Sequence, residues 1–315
     1  MNEMNESISA LIVVTDRYDD VVECLSSLIR IEHLLAEVCL LVNAPSNDWP
    51  SDPFNELPQP VAHKLRITHS ETRVFPTEGR NRLAENAIGE FFLFLDDDSK
   101  VLNEAGIVKG LKLLRRYDKI GSIAYPQCTD DGVITSSMQP APVDYICVTA
   151  GFVSCGAIVK ARVFRKLNGF QEILQMAHEE NEFCKRQWNA GYAVCFLPET
   201  CISHCPSAVA RNSIQRLKLN ARNSLYQAIL HEPLYLLGLT IVPRLVNAAL
   251  YLRNECRTLK CSWFDLFLEA MSDFKRDFGQ LIVRRSPLRW GSIRLWQKLK
   301  ASYPPLDSWT SLAGD

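Results

Sequence analysis

The sequence predicts an α/β protein: a mixed, mainly parallel central sheet flanked by helices, with a helical C-terminal extension. Three observations carry this. Short apolar, β-rich runs alternate with segments of helical periodicity through the first hundred residues. Polar or acidic residues close several of those runs, where an open parallel sheet gathers its ligands. Beyond about residue 206 the composition changes, with an apolar stretch at 234–252 and a basic, amphipathic one at 275–300.

The elements follow in order. "ISALIVVT" (8–15) reads as the first strand, and "DDVVECLSSLIRI" as a helix with Val22, Leu25, Leu28 and Ile29 at helical spacing. "AEVCLLVNA" (36–44) is a second strand ending in a Pro-, Asn- and Ser-rich loop, and "HKLRITHS" a third. "TEGRNRLAENAIG" reads as a helix with Thr77 as N-cap and Gly89 as its stop. "EFFLFL" is the fourth strand and delivers Asp96, Asp97 and Asp98. A helix at "EAGIVKGLKLLRRY" and a strand near "IGSIAYP" follow, then one strand and one helix within "DYICVTAGFVSCGAIVKARVFRKLNGF", ended by Gly169. "HEENEFCKRQWNAG" is a helix with acids in its first turn, Lys185 and Arg186 later and Gly191 at its end, a charge order that suits the helix dipole. Trp188 belongs to the core. "YAVCFLPE" is a last strand, ending near His204.

Composition narrows the function. With 315 residues, 47% of them hydrophobic, the chain can bury one large core, or a domain and an appendage. A formal charge of −1 excludes a globally basic nucleic-acid binder and gives no reason for disorder. The eleven cysteines contain no CxxC pair, and "MNEMNESISA" has neither a basic nor an apolar leader region, so reduced thiols in a cytoplasmic protein are expected. Cys201, His204 and Cys205 have no fourth ligand at a suitable spacing for structural zinc. "LYLLGLTIVPRLVNAALYL" (234–252) is interrupted by Pro243, Arg244 and Asn247 and is not read as a membrane span. Residues 275–300 carry eight basic residues and one acid, Asp277, interleaved with Leu, Ile and Trp. Two readings stand there: an interfacial membrane surface, or a packed helix with a solvated basic face.

Two acidic clusters carry chemistry. Asp96 and Asp98, at i and i+2 on an extended tip, can offer oxygens to one Mg2+ or Mn2+ that also takes diphosphate oxygens. A solvated acidic turn would look the same in isolation. Glu180 opens a helix, where the dipole favours its ionised form and allows it to serve as a general base. Glu182 is read as the i,i+4 partner of Arg186. The chain has neither a P-loop, a GxGxxG nor a GxSxG elbow, which removes the usual signals for NTPase, dinucleotide and hydrolase chemistry.

Taken together, the blocks resemble an inverting family 2 glycosyltransferase of the GT-A fold, with a rhamnosyltransferase-like cast. "ISALIVVTDRYDDVVECLSSL" is similar to the opening V-S-V-I-I-x-T-Y-N-R…C-L-x-S-L, and "LLVNAPSND" to V-D-N-x-S-x-D. "TEGRNRLAENAIGEFFLFLDDDS" resembles G-x-x-x-A-R-N-x-G…L-D-x-D. "GAIVKARVFRKLNGFQE" resembles the segment ending G-G-F-D-E, and "HEENEFCKRQWNAGYAVCFLPETCISH" the E-D-x-D/E-x-x-x-R…H block. "RNSLYQAIL" (222–230) resembles the R-N segment of rhamnosyltransferase-like members. The chain departs from the pattern at Val14, Asn43, Asn168, Gln171 and Glu180, which stands where aspartate is usual.

The resemblance implies a GT-A domain over 1–205, with a nucleotide-sugar half (1–103) and an acceptor half (104–205), then a mainly helical extension over 206–315. It places Thr15 and Asp16 at the nucleotide base or ribose, Asn43 near the base, Arg80 close to the nucleotide, and Asp97 at the ribose or sugar. Asp96 and Asp98 become the ligands of a divalent metal, Mn2+ or Mg2+, with Asp98 the favoured direct contact and His204 completing the site. Glu180 becomes the catalytic base, with Glu179 beside it. The expected reaction moves a hexose or deoxyhexose from a nucleotide-diphosphate sugar to a hydroxyl of a glycan or lipid-linked acceptor with inversion. A retaining or nucleotidyl-type transferase on the same scaffold and a non-catalytic nucleotide-sugar binding subunit are the alternatives. Polysaccharide biosynthesis in the cytoplasm, peripheral on the inner face of the cell membrane through the basic extension, is the expected setting; no nucleic acid is expected as partner.

Overall fold

A computed structural model describes residues 6–45, 49, 54–135, 139–205 and 213–310. Strand β1 (Ile8–Val14) is apolar but for Ser9, because both of its faces are covered. Helix α1 (Tyr18–Ser27) follows, with Asp19 and Asp20 in its first turn. Its buried face is Val21, Cys24 and Leu25, continued by Leu28 in a 3-10 segment; Val22 is half-buried and Ile29 exposed, one residue out of step with the predicted face. β2 (Leu35–Asn43), the short α2 (Gln59–Ala62), β3 (Leu65–Ser70), α3 (Pro76–Asn86) and β4 (Phe91–Asp96) complete the first half.

Thr77 lies inside α3, and the cap position is Phe75, without a side-chain cap. Pro76 at the first position is pre-set for helical φ and needs no N–H partner, so it starts the helix where a hydroxyl cap was expected. Gly89 does not end α3 either, since the helix stops at Asn86. Its role is contact: a Cβ there would meet the backbone nitrogen of Ser9 at 2.5 Å.

The second half runs β5 (Ser99–Val101), α4 (Ala105–Arg116), β6 (Ile120–Ala124), β7 (Gln127–Cys128), β8 (Cys147–Thr149), β9 (Gly156–Lys160), α5 (Ala161–Lys166), α6 (Glu179–Asn189), β10 (Ala193–Phe196) and β11 (Ile202–His204). The stretch predicted as one strand and one helix thus holds two strands, β8 and β9, split by a turn at Ser154–Cys155. His204 sits on a strand of its own rather than at the end of β10.

The main sheet has the order β3-β2-β1-β4-β9-β6-β10-β8. β9 and β8 run against the other six, so the sheet is mixed and mainly parallel. A second sheet, β5-β11-β7, pairs His204 with Ser99 in register. That pairing carries a histidine from the end of the α/β half to the tip of β4. Phe92, Phe94, Phe164, Phe170 and Phe183 form a tilted and edge-on aromatic cluster between β4, α5 and α6.

The extension contains α7 (Ser213–His231), α8 (Leu234–Leu259), α9 (Trp263–Val283), α10 (Trp290–Leu299) and α11 (Leu306–Thr310). α7, α8 and α9 share small apolar clusters around Leu252 and Tyr226. α10 and α11 return to the main core through Leu299 and Leu306, with Trp309 edge-on to Trp188. The basic stretch 275–300 is therefore divided: Leu288 and Leu299 are buried, while Phe278, Ile282, Val283 and Trp290 are exposed.

Candidate functional site

Because β1, β2 and β4 are parallel and adjacent, their carboxyl ends open on one edge, with Val13 opposite Asp96. The three aspartates there are led apart by their partners. Asp96 Oδ1 accepts from Arg80 Nη2 at 2.5 Å, and its Oδ2 faces His204 Nε2 at 3.8 Å. Asp98 Oδ2 accepts from Arg17 Nη1 at 2.7 Å, and its Oδ1 lies 3.3 Å from His204 Nε2. Asp97 is buried against the other Arg17 nitrogen at 2.8 Å. Burial pushes the Asp97 carboxyl up to about 8; Arg17 opposes the rise and the charges of Asp96 and Asp98 add to it.

Asp96 and Asp98 thus each have one oxygen held by an arginine and the other turned toward His204. The ligand atoms of Asp96, Asp98 and His204 lie within 4.8 Å of one another. His204 Nδ1 is 2.8 Å from the acceptor Gln127 Oε1 and donates to it, which leaves Nε2 as the ring nitrogen turned to the carboxylates. Two hard oxygens and one imidazole nitrogen, with room for phosphate oxygens, fit a divalent ion such as Mn2+ or Mg2+. The Cys201–His204–Cys205 grouping does not form a zinc site, since His204 turns to the aspartates and Cys201 sits against Cys128. All eleven cysteines are free.

The second cluster is the first turn of α6. Glu180 Oε1 accepts from Ser154 Oγ at 2.7 Å and from the Ser154 backbone nitrogen at 3.3 Å. Glu179 is buried, and its Oε2 makes no hydrogen bond among the described residues. Burial pushes its carboxyl up to about 8, the Glu180 charge adds to this, and Arg80, 3.5 Å away, opposes it. Arg80 links the clusters by touching both Asp96 and Glu179. Burial alone would lower the Arg80 pKa, but the charges of Asp96, Glu179 and Glu180 raise it instead. The buried Cys155 thiol lies in the same field: burial pushes it well up, and Asp96, Glu180 and Asp98 add to that.

The proposed base-side residues lie at the strand ends. Asn43 is buried, with Oδ1 accepting from Val74 N and Nδ2 donating to Val74 O, both at 2.9 Å, and to Thr15 Oγ1 at 3.3 Å. Its amide is occupied by the loop after β3. Thr15 and Asp16 are half-buried beside it. Arg17, Ser154, Gln127 and Cys155 were not found by sequence reasoning. Arg17 had no local signal, since nothing near it in the chain says that its guanidinium folds onto the aspartates. Ser154, Gln127 and Cys155 had none, because only the turn before β9 and the small sheet bring them in.

Residues 9–145 match the family model "Glycosyl transferase family 2". Among solved structures, GalNAc-T7 with UDP, GalNAc and Mn2+ is similar at a TM-score of 0.58 and 14% identity, covering 74% of this chain. The match spans about half of GalNAc-T7, 49% of that chain. The 1–349 fragment of S. aureus TarS is similar at 0.56 and 16% identity, covering 85% of this chain and 80% of that one. The mannosyltransferase PcManGT from Pyrobaculum calidifontis, in complex with GDP-Man and Mn2+, is similar at 0.54 and 14% identity, over 98% of this chain and 84% of that one. No curated protein matches the sequence. Residues 9–145 are thus similar to the family 2 glycosyltransferases, and the architecture shared with these structures is a GT-A fold.

Proposed function

We propose that the protein transfers a hexose or deoxyhexose from a nucleotide-diphosphate sugar to a hydroxyl acceptor with inversion. The observation that carries this reading is the placement of Glu180 and of the Asp96–Asp98–His204 cluster on two sides of Arg80. Asp96, Asp98 and His204 would hold Mn2+ or Mg2+, which when bound offsets charge on the departing diphosphate. Asp97, spent on Arg17, holds that arginine in place rather than reaching a ribose. Thr15, Asp16 and Arg80 line the nucleotide side. Asn43 shapes that wall through the Val74 loop.

Glu180 is the base. Ser154 fixes one of its oxygens and leaves the other to take the acceptor proton as the hydroxyl attacks the anomeric carbon. Glu179 lies beside it as a buried carboxyl whose pKa is raised by burial and by the Glu180 charge, and it anchors Arg80 between the two clusters. Glu180→Gln is expected to lower turnover by at least about a hundredfold while UDP or GDP affinity with Mn2+ stays unchanged. Unchanged turnover would remove Glu180 from this role, and retention of anomeric configuration in the product would remove the inverting mechanism.

The acceptor reading, a glycan or lipid-linked intermediate taken at the cytoplasmic membrane surface in polysaccharide assembly, draws on α8. By length and composition, α8 is apolar enough to cross a membrane. Tyr235, Leu239, Val242, Val246 and Leu250 form one exposed stripe along it, while Arg244 on another side pairs with Glu232 and bonds the Ser224 carbonyl on α7. Residues 234–300 hold twelve Lys and Arg against five Asp and Glu, a net +7 in a chain of −1. An apolar stripe within a basic region fits an anionic lipid surface, with α8 lying in the interface.

A further inference from the structure

The extension reaches the catalytic half through one face of α7. Asn220, Asn223 and Gln227 recur at helical spacing on that face, and together with the neighbouring Arg222 they bond residues 173–178, the segment that leads into α6. Asn223 Nδ2 donates to the carbonyls of Leu174, Met176 and Ala177 at 2.7, 2.9 and 2.8 Å. Arg222 Nη2 donates to the carbonyls of Ile173 and Leu174, and its Nε donates to Asn223 Oδ1 at 3.0 Å, which fixes the orientation of the amide. Asn220 Oδ1 is 2.6 Å from His178 Nε2, and Gln227 Nε2 donates to the His178 carbonyl.

The segment so held is unusual. Gln175, Ala177 and His178 have φ of 65°, 66° and 70°, and none is glycine. L residues adopt this region in succession only where their surroundings impose it. From the other side, Thr77 donates its backbone N–H and its hydroxyl to the Gln175 carbonyl. His178 is the cap residue of α6, so the turn sets the direction in which Glu179 and Glu180 leave the helix.

We propose that Asn223 is a positioning residue for Glu180: its amide holds the left-handed turn that aims the first turn of α6. This rests on the reading of Glu180 as the base. Its side-chain bonds go to backbone carbonyls and to Arg222, so it acts through the segment and not on the substrate. Ser154 then fixes the carboxylate only if α6 already starts in the right place.

The test compares wild type, Asn223→Ala, Glu180→Gln and the double variant. Nucleotide release from a panel of UDP- and GDP-hexoses is followed with Mn2+, UDP and GDP binding is followed by calorimetry, and hydrogen exchange is followed over 174–181. Asn223→Ala is expected to lower kcat about ten- to a hundredfold, leave nucleotide affinity within about twofold, and speed exchange at 174–181 without change in the central strands. In the Glu180→Gln background it should cost nothing further, because its effect passes through that carboxylate. Asn220→Ala, at a half-buried position, should show a smaller loss of the same kind and carries the comparison should Asn223→Ala fail to fold. A loss that multiplies in the Glu180→Gln background, an equal loss of nucleotide affinity, or unaltered exchange at 174–181 would overturn the role of Asn223 alone. Full turnover in Glu180→Gln would instead overturn the base reading on which it rests.

Discussion

Asp96, Asp97 and Asp98 share a strand tip but not a task. Two turn an oxygen toward His204 at 3.8 and 3.3 Å, and the middle one is buried on Arg17. Asp96 ends β4, whereas Asp97 and Asp98 form the turn into β5, which brings Asp98 to His204 beside Asp96 and leaves Asp97 on Arg17. The i, i+2 spacing made the pair legible in the sequence, and the resemblance supplied His204 from more than a hundred residues away. Arg17 went unread because nothing local says that its guanidinium folds back onto the aspartates. At this scale the expected outcome is that Mn2+ with UDP or GDP raises the Tm of wild type, with about 2.7 kcal/mol available at a hundredfold excess over Kd. Asp98→Ala should lose that shift while keeping the unliganded fold, and an undiminished shift would rule Asp98 out as a ligand.

Helices and strands were read more securely than their ends. Periodicity identified α1, α3, α4 and α6, but α3 begins at Pro76 rather than at a Thr77 cap, and Gly89 serves a contact with Ser9 rather than a stop. Both residues fit a local rule, yet long-range packing decides their use. β8, β9 and β11 span three to five residues and are fixed by partners far away in sequence, which explains why two strands were read as one. α8 runs unbroken through Pro243, Arg244 and Asn247, which read as interruptions in the sequence, and its exposed stripe emerges only once α7 is seen to cover another face. Leu239→Glu with Val246→Glu should leave the Tm near wild type, because both sites are exposed. It should also abolish co-sedimentation with phosphatidylglycerol vesicles; equal partitioning of variant and wild type would show that α8 does not meet lipid.

Across the whole molecule, the extension is tied to the α/β half through a buried polar core. Glu182 on α6 pairs with Arg186 at 2.6 Å and with His231 Nε2, at the end of α7, at 2.7 Å. His231 Nδ1 faces the carbonyl of Ser286 beyond α9. The Glu182–Arg186 pair was legible from i,i+4 spacing, whereas the third partner was not, being forty-nine residues on in another element. Burial alone would raise the Glu182 carboxyl, but Arg186 and His231 outweigh it and hold it at about 2, below its ordinary 4.5. A group depressed in this way stabilises the fold above pH 4.5 and loses that contribution as pH falls toward 2, about 3 kcal/mol in all. Glu182→Gln should therefore be less stable at pH 7 by about 3–5 kcal/mol, because it leaves Arg186 buried without its anion. Its stability should also fall less steeply than that of wild type between pH 4.5 and 2 in denaturant titrations.

The guanidinium groups of Arg17 and Arg80 have one more consequence. A cluster of acids that needed a metal simply to relieve its own repulsion would come apart in a chelator, as structural metal sites do. Here Arg17 and Arg80 already pair with those carboxylates, so the fold is expected not to depend on a metal. On the proposed reading, a divalent ion arriving alone would meet carboxylates already half satisfied and gain little, whereas one arriving with a diphosphate would bring an anion for the two arginines. Loading should therefore be ordered: chelator leaves the Tm of the nucleotide-free protein unchanged, and Mn2+ binds measurably tighter after UDP or GDP than before it.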